Sequence, residues 1–87
     1  MNFIQSLEVF AADLENEVCI FNPSNGVYIN LNKTASMIWH LIKEENNVET
    51  ILKKLTSTFS GKEEDIKNDL YEFLEKGTKN SFILKIN

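Results

Sequence analysis

The residue types that most often carry out chemistry are rare and scattered in this chain. Cys19 is its only cysteine and His40 its only histidine. A thiolate nucleophile needs a neighbour that lowers the thiol pKa, and the apolar run around Cys19 offers none. A zinc site needs several cysteine, histidine or acidic ligands at short spacings, which a lone histidine does not supply. We therefore expect Cys19 to be a buried small apolar residue and His40 to be an ordinary surface or half-buried histidine.

The acidic cluster Glu63, Glu64 and Asp65 also lacks the arrangement of a catalytic pair. Three consecutive residues point in different directions around a helix, whereas two catalytic carboxylates must face each other across a substrate. Negative charge in the first turn of a helix is instead favourable because it lies at the positive end of the helix dipole. No acylation motif surrounds the serines, and the three glycines are isolated. We expect no enzyme activity, no metal and no cofactor.

Length and charge narrow the remaining classes of function. The 87 residues predict a single domain over 1–87 with a small core. The net charge is -4, and all nine basic residues are lysines. Arginine supplies the forked donor used for phosphate and guanine, so its absence weighs against nucleic acid. A single cysteine suits a reducing compartment, and no apolar run is long enough to span a bilayer. These features predict a cytoplasmic protein that does not bind a membrane.

Strands are predicted in the first third of the chain. Residues 17–22 are rich in β-branched and aromatic side chains, and residues 27–31 alternate in side-chain type, which is typical of strands. The turn-forming residues between them predict a hairpin. A further strand is predicted over 9–13, with 14–16 as the turn that follows it. These segments would form a three-stranded antiparallel meander.

Three helices are predicted after the strands. Asn32 is a suitable N-cap for a helix over 33–43, which carries Trp39 on its apolar face. Residues 48–59 repeat apolar side chains at the i, i+3, i+4, i+7 spacing of a second helix. The third helix is predicted over 62–76. Gly77 would close it in the left-handed conformation that often ends helices.

This order of elements predicts an α+β fold with the content of a winged helix-turn-helix. Such folds often bind DNA through the third helix, but here residues 62–76 carry six acidic residues against three lysines. That helix would be repelled by a phosphate backbone, and fold alone does not establish function. We therefore expect no nucleic-acid partner. Residues 78–87 are predicted to form either a C-terminal strand or a tail.

Binding of another polypeptide is the function that these exclusions leave. A sheet of two or three strands ends in edges whose N–H and C=O groups can pair with a further strand. The strand over 27–31 contains no proline and no charged residue, the usual protections of an edge. Either another strand of the same chain covers it, or a partner peptide does. Leu31 and Trp39 are assigned to the core.

The stretch 26–39, GVYINLNKTASMIW, resembles the signature of PqqD-like proteins, the recognition elements for ribosomally synthesised and modified peptides. The shared pattern is a glycine, a short strand with an aromatic residue, Leu-Asn, a helix start of small residues and an Ile-Trp pair. The similarity continues through Leu55 in the second helix and Leu70, Phe73 and Gly77 in the third, so it covers 9–77. The family often places two leucines directly after the final glycine, whereas Thr78 follows here.

The resemblance implies a non-catalytic adaptor that binds the leader segment of a precursor peptide and presents it to processing enzymes. In such domains the leader adds as a strand beside the third strand of the meander, in a groove walled by the third helix. The peptide-binding residues implied are Val27, Tyr28, Ile29, Asn30, Leu31, Asp65, Ile66, Asp69, Leu70 and Phe73. Asp65 and Asp69 would pair with a leader lysine or arginine. Ile66, Leu70 and Phe73 have the core as an equal alternative.

The stand-alone form resembles the recognition subunits of lasso-peptide pathways, which hand the precursor to a leader peptidase. A PqqD-like chaperone for a radical-SAM peptide-modifying enzyme is the alternative, and a winged-helix DNA-binding regulator is a more distant one. A structural dimer, in which residues 82–86 pair with the edge of another chain, also stays open. We expect a monomer or weak dimer.

Overall fold

The computed structural model of the protein describes residues 1–15 and 17–86. It has a mixed α+β fold in which the predicted strands 17–22 and 27–31 are confirmed residue for residue. The elements in chain order are β1 (Asn2–Gln5), β2 (Phe10–Leu14), β3 (Glu17–Asn22), β4 (Val27–Leu31), α1 (Lys33–Glu44), α2 (Val48–Thr58), α3 (Glu63–Lys79) and β5 (Ile83–Ile86).

Strands β2, β3 and β4 form the predicted three-stranded antiparallel sheet, in that order. Because successive side chains of a strand point to opposite faces, the sheet has an inner and an outer face. The inner face carries Val18, Ile20 and Leu31, which are at most 4% exposed and join the helices in one core. The outer face carries Phe10, Ala12, Leu14, Glu17, Cys19, Phe21, Tyr28 and Asn30.

The two turns of this sheet place residues in the left-handed backbone region. Gly26 has φ of 72° and donates its N–H to the Asn22 carbonyl at 2.8 Å, which closes the predicted turn between β3 and β4. Glycine suits this position because it has no Cβ to clash. Glu15, between β2 and β3, has φ of 59°. Asn16, which the sequence also assigns to that turn, lies outside the described residues.

Asparagine side chains start two of the helices. The Asn32 carboxamide oxygen accepts the Ala35 N–H at 2.8 Å, so the predicted cap of α1 is confirmed. Asn47 caps α2 in the same way by accepting the Thr50 N–H at 3.1 Å. Each cap satisfies a backbone donor that has no partner within its own helix.

The predicted end of α3 at Gly77 is wrong, because the helix continues to Lys79. The left-handed residue that ends it is Ser81, with φ of 61°. Phe82 donates its N–H to the Gly77 carbonyl at 2.8 Å and Ser81 donates to Thr78 at 3.1 Å, the bond pattern of a Schellman motif. Gly77 has a packing role instead, since a Cβ built there would lie 3.0 Å from Cγ1 of Ile83.

Strand β1 was not predicted, and it forms a two-stranded antiparallel sheet with β5. The final strand allowed for in residues 78–87 is therefore present, and it pairs with the N-terminus of its own chain. Phe3 and Ile83 from this sheet are 6% and 0% exposed, so it closes one side of the core. Four residues of β1 give too short a pattern to identify, and their partner lies at the other end of the sequence.

The core predictions hold for the helices and fail for Cys19. Trp39 is 4% exposed and lies in the core as expected. Cys19 is half-buried rather than buried, because its position in β3 turns it to the outer face, where its sulfur lies 2.7 Å from Oδ1 of Asn30. His40 lies at the surface, with Nε2 3.0 Å from the Asp13 carboxylate. That contact joins α1 to β2.

Candidate functional site

The meander ends in two strand edges. Among the described residues β4 pairs with β3 alone, and so does β2. In an antiparallel pair alternate residues turn their N–H and C=O groups away from the partner strand, so each edge offers backbone groups to a further strand. The edge of β4 therefore has the backbone geometry that the sequence predicted.

A groove with a cavity volume of about 220 Å³ lies between β4 and α3. Its lining includes Ile29 and Leu31 from the strand and Phe73 from the helix. Leu31 and Phe73 are 4% and 9% exposed, so they form a largely apolar floor over the core. The start of α1 contributes Thr34 and Ala35, both half-buried. The groove can take apolar side chains of a strand placed beside β4.

Three charged side chains of α3 stand along the rim of this groove. Asp69, Glu72 and Lys76 line it and are exposed. With Phe73 they fall at helical positions i, i+3, i+4 and i+7, which places them on one face of α3. The rim therefore carries two negative charges and one positive charge, a pattern that favours a ligand with a basic group near the carboxylates.

Ser36 fixes β4 against the helix that follows it. Its buried hydroxyl accepts the Val18 N–H at 2.9 Å and donates to the Leu31 carbonyl at 3.2 Å. The side chain thereby links β3, β4 and α1 at the end of the strand. The Asn32 cap then begins the helix one residue after β4 ends. This short connection holds β4 against the core and leaves its outer backbone groups unpaired.

The structure brings only half of the predicted peptide-binding residues into the groove. Ile29, Asn30, Leu31, Asp69 and Phe73 line it. The other five predicted residues lie elsewhere, for different reasons. Ile66 and Leu70 are 8% and 0% exposed and belong to the core, and Asp65 is exposed on the first turn of α3, away from the lining. Val27 and Tyr28 remain on the candidate edge.

Glu72 and Lys76 are rim residues that the sequence reasoning missed. Their signal was present, because they follow Asp69 at spacings of three and seven in a helix that was predicted. The lining residues Thr34, Ala35 and Phe82 carried no such signal. They reach the groove through the packing of α1, α3 and β5 against one another, which no local pattern encodes.

Tyr28 lies on the outer face of β4 and keeps its hydroxyl proton at neutral pH. The neighbouring Cys19, through a side-chain hydrogen bond and the charge of its thiolate form, raises the pKa of Tyr28 above its ordinary value of 10.0. The phenol is 60% exposed as a side chain of an edge strand. It is therefore available as a hydrogen-bond donor to a ligand that reaches this edge.

Two other classes of site were considered over residues 1–15 and 17–86. No group of three or more histidine, cysteine, aspartate or glutamate side chains is arranged to hold a metal ion within that part of the chain. No helix there has the length and apolar character needed to cross a membrane. The groove beside β4 is the site that we consider further.

Two solved structures share this fold over nearly the whole chain. "TbiB1 in Complex with the TbiA(beta) Leader Peptide" is similar with a TM-score of 0.87 and 24% sequence identity, covering 97% of this chain and 98% of that one. "Lasso peptide synthetase B1 complexed with the leader peptide" is similar with a TM-score of 0.83 and 20% identity, covering 98% of this chain and 100% of that one. At these identities the likeness establishes the fold.

Comparison with curated proteins gives no match. A family model, described as coenzyme PQQ synthesis protein D (PqqD), matches residues 17–83, from the first residue of β3 to the first residue of β5. The match includes both walls of the groove and most of the chain. This protein belongs to the PqqD family.

Proposed function

We propose that the protein binds the leader segment of a ribosomally synthesised precursor peptide by strand addition to β4 and presents it to a processing enzyme. The observation that carries this proposal is the position of an unpaired strand edge beside a groove walled by α3. Backbone hydrogen bonds to the edge would supply affinity, and side chains entering the groove would supply specificity. The titles of both similar structures name a leader peptide, which supports the same ligand class.

The geometry favours β4 over β2 as the receiving edge. Every residue of β2 is exposed, on both faces of the strand. A peptide paired with β2 would have no adjoining wall to hold its side chains. A peptide paired with β4 would place alternate side chains over Phe73 and Ala35. Burial of apolar side chains there adds to the backbone bonds, at about 25 cal/mol per Å² of apolar surface removed from water.

The charges of the rim extend the proposal to the chemistry of the leader. Asp69 and Glu72 would contact a lysine or arginine of the leader that follows or precedes its buried apolar residue. Asp65 was also predicted to pair with a basic residue, and it stays a secondary candidate because it lies outside the groove lining. Lys76 would favour a leader carboxylate near the other end of the rim.

The finer assignments are part of the same proposal. We place the protein in a lasso-peptide pathway, handing its precursor to a leader peptidase, since both similar structures come from such lasso-type complexes or their close structural relatives in fold. A chaperone for a radical-SAM peptide-modifying enzyme is the alternative. The proposed adaptor is a single cytoplasmic domain over 1–87 that performs no catalysis, and it works as a monomer or weak dimer.

The winged helix-turn-helix comparison describes the order of elements, a meander followed by three helices. It does not favour DNA as the ligand. Glu63, Glu64, Asp69 and Glu72 are exposed on α3, the helix that would enter the groove of DNA. Desolvating these carboxylates against phosphates would be unfavourable. We retain the comparison for the architecture and not for the function.

The test is a backbone N-methylation scan of the leader peptide encoded by a precursor gene beside the gene for this protein. Each peptide carries one N-methyl group and a fluorescent label, and its affinity is measured by anisotropy. Strand addition predicts that binding weakens at every second residue across the paired segment, because alternate N–H groups face β4. Changing the peptide leaves the protein fold intact.

Two outcomes would contradict strand addition. One is saturable binding that tolerates N-methylation at every position. The other is sensitivity that follows side-chain position without a period of two. A parallel experiment on the protein is the Ile29→Pro variant, with circular dichroism used to confirm that the helices remain folded. Unchanged affinity in that folded variant would also exclude β4 as the receiving edge.

A further inference from the structure

A row of aromatic side chains crosses the outer face of the sheet and has no role in the groove. Phe10, Phe21 and Tyr28 lie opposite one another on β2, β3 and β4. They are 68%, 39% and 60% exposed, and Leu14 on the same face is 59% exposed. Cross-strand neighbours lie about 4.5–5.5 Å apart at Cβ, so these side chains form one continuous apolar surface. We refer to Phe10, Leu14, Phe21 and Tyr28 as the aromatic patch.

The patch differs from ordinary scattered exposure of apolar residues. The helices pack on the inner face through Val18, Ile20 and Leu31, so they leave the outer face to solvent. Contiguous apolar patches on a small domain mark interaction surfaces, and aromatic residues are enriched at the centres of protein interfaces. The patch is also contiguous with β4, where the leader is proposed to bind.

Charge around the patch identifies the kind of occupant. Residues 1–31 contain four acidic residues, Glu8, Asp13, Glu15 and Glu17, and no lysine, whereas residues 32–87 contain nine of each sign. The entire net charge of -4 therefore belongs to the part of the chain that builds the sheet. Glu17 shares the outer face with Leu14. A complementary surface has an apolar centre and lysine or arginine at its rim.

This charge argues against a second copy of the chain as the occupant. Two outer faces packed against each other would bring the acidic residues of both sheets together, and like charges in a closing interface are unfavourable. A partner of opposite charge gains from the same residues. The side chain at Glu17 therefore discriminates between self-association and docking of a basic partner.

We propose that the aromatic patch is the docking surface for the processing enzyme, which presents an apolar surface rimmed by lysine or arginine. This inference rests on the proposed function. A leader strand added to β4 would extend the sheet by one strand, and its alternate side chains would join the outer face beside Tyr28 and Asn30. The enzyme would then contact the protein and its bound leader on one continuous surface, and loaded protein would bind more tightly than empty protein.

The test compares two substitutions that remove the patch with one that removes an equivalent side chain elsewhere. The patch variant is Phe10→Thr with Phe21→Thr, because threonine retains strand propensity. The control is Leu84→Thr, since Leu84 is an apolar side chain 46% exposed on strand β5. Glu17→Lys tests the charge of the rim. Tyr28 is left unchanged because it is on the leader-binding strand.

Two affinities are measured for each variant. The first is for the labelled leader, by anisotropy. The second is for the purified leader-processing enzyme encoded beside the gene for this protein, by surface-immobilised binding with and without the leader. We expect the patch variant to bind leader as the unaltered protein does and to lose at least about tenfold in enzyme affinity, or about 1.4 kcal/mol. Glu17→Lys should weaken enzyme binding, and Leu84→Thr should not.

The outcomes separate this inference from the proposed function. Unaltered protein that fails to bind the leader contradicts the proposed function, whether or not the enzyme binds. Leader binding with an enzyme affinity that the patch variant leaves unchanged overturns the docking surface alone. A dimer in sedimentation velocity that the patch variant abolishes, with no effect on enzyme binding, would assign the patch to self-association and would also overturn it.

Discussion

The hydroxyl of Ser36 in α1 accepts the backbone N–H of Val18 in β3 at 2.9 Å, and it is 4% exposed. The same hydroxyl donates to the Leu31 carbonyl at the end of β4. One side chain therefore satisfies two backbone groups at the place where the sheet meets the helices. This connection sets the position of the β4 edge relative to the groove.

Substituting Ser36→Ala should destabilise the fold by about 1–3 kcal/mol, because it leaves a buried N–H and a buried carbonyl without this partner. Chemical denaturation followed by circular dichroism measures the change. Ser57→Ala is the matched control, since Ser57 is an exposed helical serine whose hydroxyl bonds only to the Lys54 carbonyl of its own helix. Equal losses in the two variants would show that the Ser36 bridge contributes nothing special.

Gly77→Ala should also destabilise the protein, although alanine is the better helix former. The new Cβ would lie 3.0 and 3.1 Å from Cγ1 and Cδ1 of Ile83, a side chain that is 0% exposed and has little room to move. Overpacking of this kind costs about 1–3 kcal/mol. Thermal unfolding measures it, with Gly61→Ala as control because nothing lies within 4 Å of a Cβ built at Gly61. A more stable Gly77→Ala variant would contradict the tight contact with β5.

Ser81→Gly should stabilise the protein by about 1 kcal/mol, because Ser81 adopts a left-handed conformation that costs a non-glycine residue about that much. The Schellman hydrogen bonds of the α3 terminus use backbone atoms and would be kept. Ser60→Gly, in the loop after α2 where the backbone is not left-handed, should be neutral or destabilising. Denaturant midpoints of the two variants should therefore move in opposite directions or differ clearly, and coincident midpoints would contradict the assignment.

Ala35→Leu should lower leader affinity by about tenfold, equivalent to about 1.4 kcal/mol, because the larger side chain fills the groove beside Phe73. Ala35 is half-buried next to open space, so the fold should tolerate the change. Anisotropy with the labelled leader measures the affinity. Ala11→Leu is the control, at an exposed position on β2 outside the groove. Loss of binding in both variants would point to a general effect on the sheet and away from the groove.

Asp69→Lys should weaken binding of a leader that carries a lysine or arginine by about two- to fivefold, the size expected for an exposed ion pair. The loss should shrink at high salt because screening reduces the interaction. Asp65→Lys makes the same charge change on α3 outside the groove lining and should have the smaller effect. The reverse order would restore Asp65 as the main acidic contact.

Local sequence patterns predicted the elements of this fold well where a short segment determines its own structure. The alternation of 27–31, the Asn32 cap and the apolar stripe of the second helix were all read from neighbouring residues and are confirmed. Gly77 shows where that reasoning fails. A glycine near a helix end usually adopts a left-handed conformation, but here contact with Ile83 explains the glycine and Ser81 takes the left-handed position.

The sequence by itself determined the strands, the helices, the family resemblance and the acidic character of the sheet segment, because each depends on residues close together in the chain. Only the tertiary structure decided which edge of the sheet lies beside a helix, and which predicted residues face the groove. Leu70 and Asp69 are neighbours in sequence, yet one is 0% exposed in the core and the other lines the rim. The side of α3 that faces the core is set by its packing against α1, α2 and β5, and those long-range contacts leave no local pattern.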